Sequence, residues 1–432
     1  MYDKLCVNAR SMPFWCVGNP LADPFGGPVQ PKLDSLEVAQ IIADAKTEGL
    51  IEMTSYHDDD LVPWDPAHPE DDLDPKSAAY AKLVAIRKIL RKAGVKVNAS
   101  ICSLHGHPMF RQGGLCNPDP KIRALAAKKV ERTLRIGTFL GAKHYVYWVA
   151  RDGFESYPAC DFKRCYDWLA EGLNHVTDYI TTKGLKNYVG GTVEPKPNEP
   201  RGAMFLPTSG HSVGFIMTRL KKPDFWGVNP ELLQHEGMCL INSVLTVSYL
   251  IACRKLKFLH FGSQMKGQFD DDFPPLVGPE GLKETVWMFR ALADCGWKGI
   301  IEFDCHMLRC DGATTKEGAI DRMRRFIRQC SEAVDVCVEL ASRIKPAKKG
   351  LTQEDAVYAV RAGIDRGLAE TEGKIRIGLI VCCMSFGPAE VNHEANLAHR
   401  NDRTVPVDYG LAEILRREIT YARAEIPPTA SW

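Results

Sequence analysis

The sequence predicts a single (β/α)8 barrel (a TIM barrel, class α/β) with a C-terminal α/β extension, and three observations predict it. Eight short apolar or β-rich runs alternate with longer segments of helical periodicity, the pattern of repeated parallel βαβ units. The chain has 432 residues, enough for a barrel of roughly 250 residues with insertions and a tail. No Gly-x-Gly-x-x-Gly follows the first run, which argues against an open doubly wound sheet.

The eight runs are PFWCVG (13–18), GLIEMTSYH (49–57), VKVNASICS (95–103), HYVYWVA (144–150), YVGGTVEPK (188–196), FWGVNPE (225–231), LKFLHFGSQ (256–264) and KGIIEFDCH (298–306). Between them lie periodic segments such as LEVAQIIADAKTEG, AAYAKLVAIRKILRKAG and IRALAAKKVERTLRIGTFLGA. Several end in glycine just before the next run, which is a helix C-cap signal. After about residue 345 the pattern breaks at the basic linker IKPAKKG. The expected division is a barrel domain over 1–345 and an extension over 346–432. In the extension, 352–371 and 409–424 read as helical and KIRIGLIVCCM (374–384) as a buried strand.

Composition excludes several classes. A net charge of +1 provides no bulk attraction to nucleic acid or to an acidic membrane. No run reaches the 18 or so apolar residues of a membrane helix. The N-terminus has no long apolar segment of the secretory type. The 15 cysteines are odd in number and include no Cys-x-x-Cys, so they read as buried thiols of a reducing compartment. The protein is expected to be cytoplasmic.

The ends of the expected strands are unusually polar. The second ends in His57, followed by Asp58, Asp59 and Asp60. The fifth ends in Glu194 and Lys196, the sixth in Glu231 and the eighth in Asp304 and His306. Asp270, Asp271 and Asp272 follow the seventh. Working residues of such barrels project from the C-terminal strand ends. Carboxylates converging there repel one another and resist desolvation unless a cation sits among them. Mg²⁺ or Mn²⁺ among oxygen ligands with a histidine or two meets that need. For the acidic run after His57, solvated loop charge is the competing reading.

Over roughly residues 15–345 the chain resembles xylose isomerase. The segments that carry the resemblance are ADPFGG, TSYHDDDLVPWD, GHPMFRQGG, YVYWVARDG, VEPKPNEPRG with FLPTSGHSVGFI, GVNPELLQHEGM, QFDDDF and IEFDCH, in the family's order. The resemblance implies an aldose–ketose isomerase with two divalent ions per subunit, Mg²⁺, Mn²⁺ or Co²⁺. Glu194 and Asp304 match carboxylates of the substrate-holding metal site, and Glu231 matches the carboxylate that bridges both ions. Asp270 and Asp272 match ligands of the second ion, with His235 supplying its imidazole. His57, held by Asp60, matches the histidine that assists opening of the cyclic sugar. Lys196 matches the lysine on the sugar's carbonyl oxygen, and Trp148 an apolar wall over the substrate. Phe25 matches an aromatic inserted into a neighbouring subunit, which implies a homo-oligomer, a dimer or tetramer. The implied reaction is a hydride shift between C1 and C2 of the open-chain sugar, of which xylose is the type substrate.

The chain departs from the family at four places. Where the family has an aspartate ligand two residues beyond a histidine, His260 is followed two residues on by Gly262, with Gln264 as an uncharged substitute on the same side of the strand. Glu231 and His235 are one residue further apart than in the family, so Gln234 competes with His235 for the ligand position. His105 stands at an aromatic sugar-contact position, with Cys102 near it in place of a threonine. His306 stands where the family has a lysine. These changes cluster in the pocket and leave an isomerase or epimerase of a different sugar open. The extension resembles a stretch of adenosine deaminase over roughly 352–395. A zinc deaminase, with His105 and His107 as an H-x-H pair, and a barrel retained for binding alone are the readings from other classes.

Overall fold

The computed structural model describes residues 5–22, 26–67, 71–268, 272–276 and 282–344. The extension expected over 346–432, including its helices, its strand and the deaminase-like stretch, lies outside the described residues.

Eight parallel strands form the sheet: β1 (Val7–Ser11), β2 (Met53–His57), β3 (Lys96–Ile101), β4 (His144–Trp148), β5 (Gly190–Glu194), β6 (Trp226–Val228), β7 (Leu259–Phe261) and β8 (Gly299–Phe303). The hydrogen-bonded order is β6-β5-β4-β3-β2-β1-β8-β7. Parallel bridges from Val228 to Leu256 and from Glu231 to His260 join the two ends. The sheet is therefore closed, and the fold is the (β/α)8 barrel.

The helices are α1 (Phe14–Gly18), α2 (Ser35–Thr47), α3 (Asp58–Leu61), α4 (Ala78–Ala93), α5 (Pro120–Leu140), α6 (Phe162–Lys183), α7 (Ser209–Arg219), α8 (His235–Met238), α9 (Ser243–Ala252), α10 (Leu282–Asp294) and α11 (Lys316–Arg343). Their ends follow local chemistry. Asp34 and Glu37 form a reciprocal capping box on α2, of the kind in which each side chain satisfies a backbone N–H of the first turn. Gly94 and Gly141 end α4 and α5 in the left-handed conformation, which a glycine adopts without the Cβ clash. No helix among the described residues is long and apolar enough to cross a membrane.

One expected strand is corrected. The apolar run 13–18 is helix α1, and the first strand lies upstream at Val7–Ser11. A short apolar run has no period by which to separate strand from buried helix. Here Phe14, Cys16 and Val17 are buried as a single turn over the barrel. The true strand was obscured by its polar content: Arg10 reaches out to Ser331 and Asp335 on α11.

The main core lies between sheet and helices, and a smaller cluster of Ala99, Ile101, Val146 and Phe258 sits apart from it. Ser11, Ser55, Asn98 and Glu302 are also fully buried. The cysteines of the described residues are thiols, most of them buried.

Candidate metal centre and sugar pocket

Parallel strands bring their C-terminal ends to one rim, and the acidic residues meet there. Glu194 ends β5, Glu231 follows β6, and Asp304 follows β8. Glu194, His260 and Asp304 offer ligand atoms that all lie within 4.8 Å of one another, and so do Glu194, Glu231 and His235. Among the described residues, Glu194 belongs to both groups. Glu194, Glu231, His235 and His260 are each no more than 3% exposed. Three carboxylates packed this tightly need positive charge among them. The donor set, oxygens with two imidazoles, suits a divalent ion of the Mg²⁺ to Co²⁺ class and contains no thiolate.

His260 is the residue that sequence reasoning missed as part of this group. Its Nδ1 lies 2.8 Å from Asp304 Oδ2 and 3.3 Å from Glu194 Oε2. Neither oxygen lies where a ring N–H would point, so Nδ1 makes no hydrogen bond. The opposite nitrogen, Nε2, lies 3.2 Å from Glu302 Oε1. Burial lowers the imidazole's pKa, but the Glu194 and Asp304 charges raise it well above the ordinary value. Glu302 is itself held by three donors: Ser11 Oγ and Ser55 Oγ at 2.5 Å, and Asn98 Nδ2 at 2.9 Å, all on Oε2. The alternation Leu259, His260, Phe261 on a short strand was the available signal. His260 served in the sequence only as a landmark for the missing aspartate.

His235 places its imidazole beside Glu231. Its Nε2 lies 2.7 Å from Glu231 Oε2, and its Nδ1 lies 2.9 Å from the Pro195 carbonyl. An Nδ1–H held by a carbonyl leaves Nε2 with the lone pair, the arrangement common to metal-binding histidines. Gln234 turns elsewhere. Its Nε2 donates to Asp272 Oδ1 at 3.1 Å and to the Asp304 carbonyl at 2.7 Å. Asp272 is at positive φ, 45°, an uncommon conformation for a residue with a side chain. Gln264 donates from Nε2 to the Gln268 carbonyl at 3.1 Å.

The run after His57 is built into the wall. His57 Nδ1 lies 3.3 Å from Asp60 Oδ2, which also accepts the His57 backbone N–H at 2.8 Å. Burial lowers the His57 pKa, but Asp60, with Glu194 and Asp304 beyond it, raises it above the usual imidazole value. Asp58 is fully buried and accepts from Lys129 Nζ at 2.6 Å, from the Ser103 backbone at 2.8 Å, and from Arg132. Arg132 also binds Asp72. The solvated-loop reading therefore fails for Asp58, which ties the turn carrying His57 to α5.

An aromatic wall faces the rim. Trp15, from α1, donates from Nε1 to Asp304 Oδ1 at 2.8 Å and packs 4.7 Å from the His57 ring. Trp148 lies 4.8 Å from His105 and 6.4 Å from His57. Lys196, 5% exposed, holds Nζ 5.6 Å above the Trp148 ring and 2.6 Å from Glu199 Oε2. Burial, and then His57, push the His105 pKa down to about 3, so this imidazole is neutral. His306 is buried with Nδ1 2.8 Å from the Met307 carbonyl. The H-x-H pair does not converge on a common ligand point. His107 packs 5.6 Å from Trp64 and accepts the Met109 backbone N–H, and neither histidine joins a candidate metal group among the described residues. Two expected site residues, Phe25 and Asp270, lie outside the described residues. Trp15 was missed because its segment reads as a strand.

The model of the family described as the xylose isomerase-like TIM barrel matches residues 51–330. A xylose isomerase of Thermus thermophilus is 32% identical over 312 residues, which is 72% of this chain and 76% of that protein. A xylose isomerase of Thermus caldophilus matches to the same extent. Among solved structures, an L-ribulose 3-epimerase superposes with a TM-score of 0.52 at 14% identity, covering 78% of this chain and 96% of its own. A protein of Rhodospirillum rubrum described as a putative xylose isomerase does so with a TM-score of 0.52 at 14% identity, covering 76% and 98%. At such identities the two structures bear on the fold alone.

Proposed function

The chain belongs to the xylose isomerase family, and from that premise we propose that it is a metal-dependent isomerase interconverting an aldose and a ketose. The family and its relatives support a sugar isomerase. The observation that carries the finer reading is the convergence of Glu194, Glu231 and Asp304 with His235 and His260 on one buried rim, beside Lys196 and His57. Glu194, Glu231, His235, Asp270, Asp272 and Asp304 would hold two divalent ions, Mg²⁺, Mn²⁺ or Co²⁺. When bound, such ions would supply Lewis acidity at the sugar's oxygens and a template for the open chain.

The chain's own residues do the rest. His57, oriented by Asp60, moves the proton that opens the cyclic sugar, a task suited to an imidazole near neutrality. Lys196 donates a hydrogen bond to the carbonyl oxygen and stabilises charge as it develops there. Trp148, and Phe25 from a neighbouring subunit, keep water from the path between C1 and C2, so that hydride passes between the carbons. The assembly is a homo-oligomer, and the compartment is the cytoplasm.

A second reading, an isomerase or epimerase of another or modified sugar, is favoured by His105 and His306. His306 is buried and His105 half-buried against Trp148, at positions where the family carries other residues. A screen of aldoses and ketoses on the metal-reconstituted protein, with product configuration read by NMR, tests both. Conversion of an aldose to its ketose supports the first, inversion at one carbon supports the second, and turnover of no sugar overturns both.

A further inference from the structure

We propose that His260 is a ligand of the first metal centre, replacing the carboxylate that Gly262 does not supply, and that Glu302 positions it. This rests on the metal-dependent reading above. A Cβ on Gly262 would lie 2.6 Å from the Asp304 carbonyl oxygen and 2.6 and 2.7 Å from the Gln234 amide atoms. A side chain there would have to displace the Asp304 backbone carbonyl as well as Gln234, so the site as built leaves no room for an acidic ligand at this position.

The imidazole of His260 enters from two residues upstream. Its Nδ1 stands between Asp304 and Glu194, at 2.8 and 3.3 Å, and makes no hydrogen bond. A nitrogen 1% exposed, facing two carboxylates yet out of line for an N–H, has the placement of a donor atom sharing a cation with them. At the other edge of the ring, Nε2 lies 3.2 Å from Glu302 Oε1 and 3.3 Å from the Asn229 amide nitrogen, and the carboxylate, which can only accept, favours the tautomer with the proton on Nε2. Glu302 Oε2 is taken by Ser11, Ser55 and Asn98, which leaves Oε1 to accept Nε2–H at 3.2 Å. With its proton on Nε2, His260 presents the Nδ1 lone pair to the site. A carboxylate behind a ligating histidine orients the ring and raises its basicity. The first centre thus comprises Glu194, Asp304 and His260 with Glu231 shared between the two ions, one carboxylate fewer and one imidazole more than an all-oxygen site. Imidazole ligation shifts preference from Mg²⁺ toward Mn²⁺ and Co²⁺.

The probe is Mn²⁺ alone, added to the metal-stripped full chain and followed by calorimetry and by pulsed electron paramagnetic resonance. The parent should bind two Mn²⁺. His260→Gln should weaken one of the two sites at least tenfold. Glu302→Gln should weaken the same site by about 10-fold, the lower end for loss of a residue behind a ligand. Because either variant can fail to fold, a third measurement uses His235→Gln loaded with Mn²⁺. It should retain an imidazole nitrogen coupling, now from His260. Absence of nitrogen coupling in folded His235→Gln overturns the inference, as do two unchanged affinities in folded His260→Gln. A parent that binds no Mn²⁺ overturns instead the metal-dependent reading on which the inference rests.

Discussion

Gln234 fills the space beside Gly262: a Cβ on the glycine would come within 2.6 Å of the Gln234 side-chain oxygen. Two departures from the family pattern, the longer spacing from Glu231 to His235 and the missing aspartate after β7, therefore meet in one place. The Gln234 amide joins Asp272 to the Asp304 carbonyl, so it links the loop after β7 to the end of β8 without adding charge.

Gly262→Ala should destabilise the fold by about 1–3 kcal/mol, the usual cost of overpacking a filled interior. Part of that cost comes from Gln234 and part from the rigid Asp304 carbonyl at 2.6 Å. Adding Gln234→Ala should recover only part of it in a double-mutant cycle. Denaturation in urea measures this. Full additivity would mean that the two side-chain positions do not compete.

Asp58→Asn should destabilise by about 3–5 kcal/mol, because it strips a buried acid from Lys129 and Arg132. Burial raises the Asp58 carboxyl, but Lys129 and Arg132 outweigh it and hold it below the usual carboxylate range. Its contribution is thus complete above an unfolded pKa of about 3.9 and is lost as pH falls through the lower folded value. The parent should lose stability relative to the variant on acidification below about pH 4. A stability difference that stays constant from neutral to strongly acid pH would contradict this.

Lys196→Met should lower kcat by about 10²–10³-fold, the scale for removing one donor to a developing oxyanion. Lys196 is nearly buried over Trp148, so the isosteric methionine should preserve packing. Circular dichroism and stopped-time assays on the best substrate separate the two effects. Near-normal kcat in a folded variant would make the lysine structural.

Chelation should abolish activity, and Mg²⁺, Mn²⁺ or Co²⁺ should restore it. Each ion should also raise the melting temperature, since at one hundred times its Kd a ligand adds about 2.7 kcal/mol to stability. Differential scanning fluorimetry with and without EDTA reads this directly. An unchanged melting curve and full activity in EDTA would remove the metals from the account.

Most of the barrel was legible in the sequence because each unit repeats the same signals. The helical periods of 78–94 and 122–142 end at Gly94 and Gly141, and the structure ends α4 and α5 there. The first strand was not legible because Val7–Ser11 is short and half polar, while the neighbouring apolar turn of α1 imitates a strand. The acids of the rim were legible as types at strand ends. Their partners were not: Trp15 reaches Asp304 across 289 positions, and Glu302 reaches Ser55 across 247. Such contacts arise only when the sheet closes, so no local pattern contains them. His260 was hidden for a related reason. A buried histidine on a strand is most often a core residue, and only its neighbours Glu194 and Asp304 mark it as more.

The central claim is that hydride passes directly between C1 and C2 of the sugar, and one labelling experiment tests it. The metal-loaded enzyme is supplied with D-xylose carrying deuterium at C2, and the ketose product is read by NMR. Transfer by a shielded hydride shift predicts that the deuterium appears at C1 of the product. Deuterium washed into solvent, or a sugar inverted at one carbon with no ketose formed, would contradict the account.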